Sequence, residues 1–161
     1  MTQTDPQSKE ILGLVIVDDR DGVSQLTLNR PDALNAFNGE LFAQLDSALE
    51  RAAEHPAIGC VVLTGAGRAF TAGSDISDEP APDAPNPYDA LIERVEGFPK
   101  PLIVAVNGLA VGIGTTILGH ADIAIAAQSA RFRMPFAPLG LVPEAGSTVT
   151  MPASQMSPAT V

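Results

Sequence analysis

The chain has 161 residues, 45% of them hydrophobic, the size and apolar content of one domain able to enclose a core. Nineteen acidic against nine basic residues give a formal net charge of -10, so no general positive field exists to attract nucleic acid or an anionic membrane. A single cysteine, Cys60, excludes an internal disulfide framework and a cysteine-based metal cluster, and two separated histidines offer no His-rich metal site. Residues Met1 to Glu10 are polar and lack the apolar segment of a secretory signal, and no apolar run reaches the roughly 18 residues of a spanning helix. The expected location is the cytoplasm.

Residues 14–19 (LVIVDD) and 23–29 (VSQLTLN) are rich in β-branched and apolar types, and Arg20-Asp21-Gly22 between them supplies turn chemistry, so an opening hairpin is expected. Asn38 can cap a helix whose apolar positions Leu41, Leu45, Ala48, Leu49 and Ala52 follow at helical spacing, ending near His55-Pro56. Ile58 to Leu63 is apolar on both parities, as expected of a parallel strand covered on both faces. Glu79 to Pro87 carries four prolines and reads as an exposed, mobile loop within the domain. Asn86 then caps a second helix with Pro87 in its first position, Tyr88, Leu91, Ile92 and Val95 on one face, and Gly97 as a left-handed stop. Leu102 to Val106 is another buried strand, Thr115 to Leu118 a short helical segment, and Asp122 to Ala126 a further buried strand. This βα-βα-βα order predicts right-handed crossovers and an α/β layered core.

Several motifs are absent. Gly108 to Gly119 lacks G-x-G-x-x-G spacing, no P-loop pattern occurs, and Ser74 lies in Ala-Gly-Ser-Asp and not in G-x-S-x-G. His55 and His120 lie at helix ends with no acid or nucleophile partner in the sequence, which favours structural roles. Two glycine-rich strand exits remain, Arg68 to Ile76 and Asn107 to Gly114. Small residues let a ligand approach the main chain, and the second exit opens into a helix whose first amides are unpaired. One amide from each loop is a plausible pair of donors for an enolate or thioester oxygen, against the blander reading of packing glycines.

Three segments carry a specific resemblance: Leu28-Asn-Arg-Pro-Asp-Ala-Leu-Asn-Ala-Phe37, Ala69-Phe-Thr-Ala-Gly-Ser-Asp-Ile76, and Lys100-Pro-Leu-Ile-Val-Ala-Val-Asn-Gly-Leu-Ala-Val-Gly112 with the Ile113-Gly114 that follows. In order and spacing they resemble the enoyl-CoA hydratase/isomerase (crotonase) family, over about Leu14 to Pro152. The resemblance implies one crotonase-like core domain over residues 1–161, an α/β spiral of ββα repeats. It also implies an acyl-CoA thioester as the bound partner, with coenzyme A part of the substrate and no separate cofactor. By the same resemblance the oxyanion-hole amides are those of Ser74 and Ile113, and the Ala33, Asn35 and Ala36 segment lies along the CoA. Ala72, Gly73, Asp75, Ile76, Gly112, Pro135 and Leu139 complete the implied substrate-binding set. Asp75 has a second reading, as an acceptor that stabilises its own loop. Arg68, Arg131 and Arg133 read as solvated charge unless one reaches a CoA phosphate.

The hydratases of this family use two glutamates, and the corresponding positions here hold Thr116 and Phe136. The segment Met134 to Thr148 is instead similar to the Δ3,Δ2-enoyl-CoA isomerase branch, in which a single glutamate placed like Glu144 moves the proton. One base suffices, because isomerisation takes a proton from C2 and returns it to C4. Phe136, Leu139, Leu141 and Val142 are expected to wall Glu144 and raise its pKa. The resemblance implies fatty-acid metabolism and a homotrimer or dimer of trimers. Family members continue for roughly another hundred residues that close the acyl pocket, so the C-terminal helical region is expected to be largely absent. The alternatives are a truncated, non-catalytic crotonase-like core or another acyl-CoA reaction such as hydration.

Overall fold

The computed structural model of the chain describes residues 8–78 and 86–153. Most of the proline-rich loop expected over 79–87, and the chain after residue 153, lie outside the described residues.

The opening hairpin forms as expected: β2 (Val15–Arg20) pairs antiparallel with β3 (Val23–Leu28) around Asp21-Gly22, both in the left-handed region that a two-residue turn needs. A strand the sequence did not announce, β1 (Ser8–Ile11), extends this pair on the outer side of β2. Helix α1 (Gly39–Glu54) starts where the Leu41 amide donates to Asn38 Oδ1 at 3.0 Å, and it buries Leu41, Leu45 and Leu49 completely. Strand β4 (Cys60–Gly65) begins two residues later than expected, because the Ile58 amide donates to His55 O and stays in the turn. Next come β5 (Ala69–Thr71) and α2 (Pro87–Glu96), the latter capped by Asn86. Gly97 ends α2 at φ -98° and not in the left-handed conformation expected of it, its amide donating to Glu93 O. Then follow β6 (Leu102–Val106), β7 (Leu109–Val111) and α3 (Ile113–Thr116). A 3-10 turn over Ile117–His120 continues α3 and leads to β8 (Ile123–Ala126), β9 (Arg131–Arg133) and α4 (Ser147–Ala153).

Six strands form one sheet in the order β1-β2-β3-β4-β6-β8, parallel from β3 onward, and β5-β7-β9 form a second, parallel sheet. The units β4-β5-α2 and β6-β7-α3 each place their first strand in the large sheet and their second in the small one. β8 and β9 repeat the strand pair. This is the ββα spiral. It brings the exits of β5 and β7 together at one end of the small sheet, because those strands are parallel neighbours.

The core lies between the large sheet and helices α1 and α2, where Leu26, Leu63, Val104, Leu45 and Leu91 are fully buried. Strand β8 departs from expectation. It pairs with β6, but Ile123 is 52% and Ile125 59% exposed. As the outer strand of the sheet it has a neighbour on one side only, and nothing among the described residues covers its apolar side chains.

Candidate active site

The segment after β3 is held from inside by Asn35, which is 0% exposed and sits at φ 56°. Its Oδ1 accepts from the Arg30 amide at 2.8 Å, and its Nδ2 donates to Ala66 O and Ala69 O, each at 2.9 Å. Its carbonyl accepts from Thr71 Oγ1 at 2.7 Å. The Asn35 side chain therefore faces the protein interior. It is spent joining the 30–36 turn to the loops around β5, while Ala33 and Ala36 stay partly exposed. Arg30 Nη1 donates to Ala36 O at 3.0 Å and to Asp75 Oδ2 at 2.6 Å, which ties the same turn to the loop after β5. Asp75 also accepts from the Ser77 hydroxyl at 2.6 Å and the Ser77 amide at 3.1 Å. The Ser77 hydroxyl first, then Arg30, hold its carboxyl down at about 2, so Asp75 is an ionised loop anchor with no capacity left to act as a base.

In the loop after β5, Gly73 O accepts from the Phe37 amide and the Asp75 amide donates to Phe37 O, both at 2.8 Å. In this parallel pairing the Ser74 amide between the two bonds points away from Phe37, and it has no backbone acceptor among the described residues. Gly73, at φ 92°, lies so close to the end of β7 that a Cβ on it would stand 2.9 Å from Val111 O. Gly112 adopts φ 54° and ψ -120°, open in practice only to glycine, and a Cβ there would lie 4.0 Å from Gly73 Cα and 3.7 Å from Glu144 Oε1. Ile113 opens α3 with its side chain 1% exposed, and its amide, as the first of the helix, has no intrahelical acceptor. Ser74, Gly112, Ile113 and Glu144 thus converge at the C-terminal ends of β5 and β7.

Glu144 is half-buried, and the backbone is held at its own carbonyl and at the next one. The Ser147 amide donates to Glu144 O at 2.9 Å, and His120 Nε2 lies 2.8 Å from Ala145 O. His120, which showed no partner in the sequence, therefore anchors the peptide after Glu144. The Tyr88 hydroxyl faces the Glu144 carboxylate and the Ala145 backbone from α2. Burial raises the Glu144 pKa, and Tyr88 opposes that shift. The expected apolar wall is not what buries it. Phe136 is 9% exposed, but Leu139, Leu141 and Val142 are 57%, 58% and 81% exposed. Pro135 is half-buried, while Ile76 stands on the surface at 91%. Thr116 is fully buried and Phe136 nearly so, and neither is a carboxylate. Two open clefts, of about 390 and 450 Å³, lie elsewhere, the first beside α1 and α2 and the second around Arg68 and Arg131 where β5, β7 and β9 begin. Among the described residues no three His, Cys, Asp or Glu side chains gather as a metal site, and no helix is long and apolar enough to cross a membrane.

Residues 18–155 match the sequence pattern of the enoyl-CoA hydratase/isomerase family. The chain belongs to this family. It is 47% identical over 141 residues to the 1,2-epoxyphenylacetyl-CoA isomerase of Escherichia coli, covering 81% of this chain and 54% of that protein. With the human Enoyl-CoA delta isomerase 2 it shares 37% identity over 155 residues, covering 90% of this chain and 39% of that one. A solved structure of a putative enoyl-CoA hydratase/carnithine racemase from Magnetospirillum magneticum superposes with a TM-score of 0.82 at 40% identity, over 89% of this chain and 57% of that one. The crotonase fold is thereby shared with both hydratases and isomerases of the enoyl-CoA hydratase/isomerase family, and the chain spans about half the length of the curated relatives it matches.

Sequence reasoning left out the Asn35 network, the His120 anchor and Tyr88 as a neighbour of Glu144. Only the pairing of a buried hydroxyl with a distant carboxylate would have revealed the last, and sequence spacing does not encode that.

Proposed function

We propose that the protein is an enoyl-CoA isomerase that shifts a 3-enoyl-CoA double bond to the 2 position, with Glu144 as its only acid and base. The observation that carries this reading is the convergence of one half-buried carboxylate with two amides that have no backbone acceptor among the described residues, while Thr116 and Phe136 stand where, by the family resemblance, a hydratase has glutamates. The thioester oxygen accepts from the amides of Ser74 and Ile113, which acidifies the C2 protons. Glu144 takes a proton from C2, and the electron pair moves into the thioester as a dienolate. The protonated Glu144 returns that proton to C4, the double bond settles between C2 and C3, and the carboxylate is restored. Ala33, Ala36, Ala72, Gly73, Ile76, Gly112, Pro135 and Leu139 flank the acyl-CoA, whose coenzyme A is part of the substrate, and no further cofactor takes part. Asn35 and Asp75 hold the loops. The reading also takes the protein as cytoplasmic and as a homotrimer or dimer of trimers, as the family resemblance implies.

A second reading is favoured by the exposure of Leu139, Leu141 and Val142 near the expected acyl end of the site: a crotonase-like core that binds but does not turn over alone. One experiment separates the two. The protein is given a 3-enoyl-CoA and the rise of conjugated 2-enoyl thioester absorbance is followed, beside hydration of a 2-enoyl-CoA by the same sample. Isomerisation exceeding hydration is the expected result. Hydration exceeding isomerisation overturns the assignment, and neither reaction from a folded chain that binds acyl-CoA selects the second reading.

A further inference from the structure

Tyr88 is the only tyrosine of the chain and lies in the first turn of α2, where its amide donates to Asn86 Oδ1 at 3.1 Å. Its ring meets Phe42 of α1 edge-on, with centroids 6.0 Å apart and planes at 78°. Phe42 in turn packs on Phe37 at 4.7 Å, and the Phe37 backbone holds the Ser74 loop. One aromatic stack therefore fixes both the position of that ring and the loop at the candidate site. The ring delivers its hydroxyl to Glu144 and Ala145, where the oxygen is buried without a hydrogen bond of good geometry. A buried hydroxyl left in that state is costly, and the Glu144 carboxylate is an acceptor beside it.

We propose that Tyr88 is a positioning residue for Glu144: its hydroxyl donates to the carboxylate, holds one oxygen against α2 and leaves the other facing Gly112 and the entrance of α3. This rests on the reading of Glu144 as the base. Burial, then the neighbouring Glu144 charge, push the phenol above its ordinary range, so it stays a donor at every working pH. Donation favours the ionised carboxylate and sets a limit on how far burial raises its pKa. The other groups around this pair are accounted for. His120 reaches Ala145 O from the turn after α3, Asp89 acts on the Tyr88 hydroxyl from the same helix, and Asp75 is tied to Arg30 and Ser77. The Ser147 hydroxyl, buried at the start of α4, carries no charge.

The chain holds no tryptophan, so its intrinsic emission is that of Tyr88 alone. A tyrosine hydrogen-bonded to a carboxylate is quenched, and the emission titrates with that carboxylate. Emission followed from about pH 4 to about pH 9 is expected to fall in one step as Glu144 ionises, centred above the usual carboxylate range near 4.3, and the step is expected to vanish in Glu144→Gln. A flat titration, or a step that survives in Glu144→Gln and so belongs to His120 or another group, overturns the proposal. In Tyr88→Phe, kcat is expected to fall about 10-fold at unchanged KM, with the acid limb of its pH profile moved to higher pH. Phe42→Leu disturbs the ring packing but keeps the hydroxyl, and is expected to leave that limb in place. Equal displacement in both variants means a merely structural role and overturns the proposal. An inactive unmutated chain would remove the base role of Glu144 yet leave the emission titration readable, so the two failures are distinct.

Discussion

Glu144 Oε1 stands 3.7 Å from the position that a Cβ on Gly112 would occupy, which sets the carboxylate over the peptide that presents the Ile113 amide. The direction of that peptide is fixed by the Gly112 ψ of -120°, reached at a φ of 54°. Alanine cannot adopt this pair of angles without strain, so Gly112→Ala is expected to rotate the peptide and withdraw one donor. The expected loss in kcat is about 100-fold, with circular dichroism unchanged. Activity within about threefold of the unmutated chain would contradict the role of this amide.

Ser74 enters the account only through its main chain. Its side chain is exposed, and the bonds on either side of it run through Gly73 and Asp75 to Phe37. Ser74→Ala is expected to keep kcat/KM within about threefold, since the amide remains. A loss of about 1,000-fold or more would place the hydroxyl, and not the amide, in the reaction.

Asn35→Ala removes three side-chain hydrogen bonds in a fully buried place and leaves their partners unpaired. An expected loss of about 3 kcal/mol follows from such desolvated partners, read as a shift in the urea midpoint. A loss under about 1 kcal/mol would mean that water takes over those bonds and that the 30–36 turn is not held from inside.

The raised pKa of Glu144 has a consequence for stability with a definite sign. A carboxyl whose folded pKa exceeds its unfolded value favours folding when protonated, so that contribution is present below the unfolded pKa and lost as pH rises through the folded one. Glu144→Gln is therefore expected to raise the thermal midpoint at pH 8 and to change it little near pH 4. An equal shift at both values would show that the ionised carboxylate carries no strain in the fold.

Apart from β1, the strands of the large sheet and the helices packed on it were legible because each carries a local signal. Asn38 and Asn86 cap helices at the residues their types suggest, and the apolar runs of β4 and β6 stand between turn residues. The small sheet was not, since β5, β7 and β9 are three residues each and too short for any period to show. Hydropathy marked β8 as buried, yet a strand's apolar content says only that it needs a cover, and Ile123 and Ile125 have none among the described residues. The meeting of the two glycine exits was readable as a pair of motifs, whereas the direction of Asn35 was not. Asn35 lies in a turn at a positive φ, where no strand or helix period tells which way a side chain faces. Tyr88 read as a core position on a helix face, and its ring does pack there. Its hydroxyl meets Glu144 only because α2 crosses near a segment more than fifty residues later in the chain.

The most direct test of Glu144 as the sole acid and base is the isomerisation rate of Glu144→Gln beside its affinity for the same 3-enoyl-CoA. The amide keeps shape and polarity but cannot take a proton. The account predicts unchanged acyl-CoA binding and a fall of about 1,000-fold or more in the appearance of 2-enoyl thioester absorbance. Activity in Glu144→Gln equal to that of the unmutated chain would contradict it.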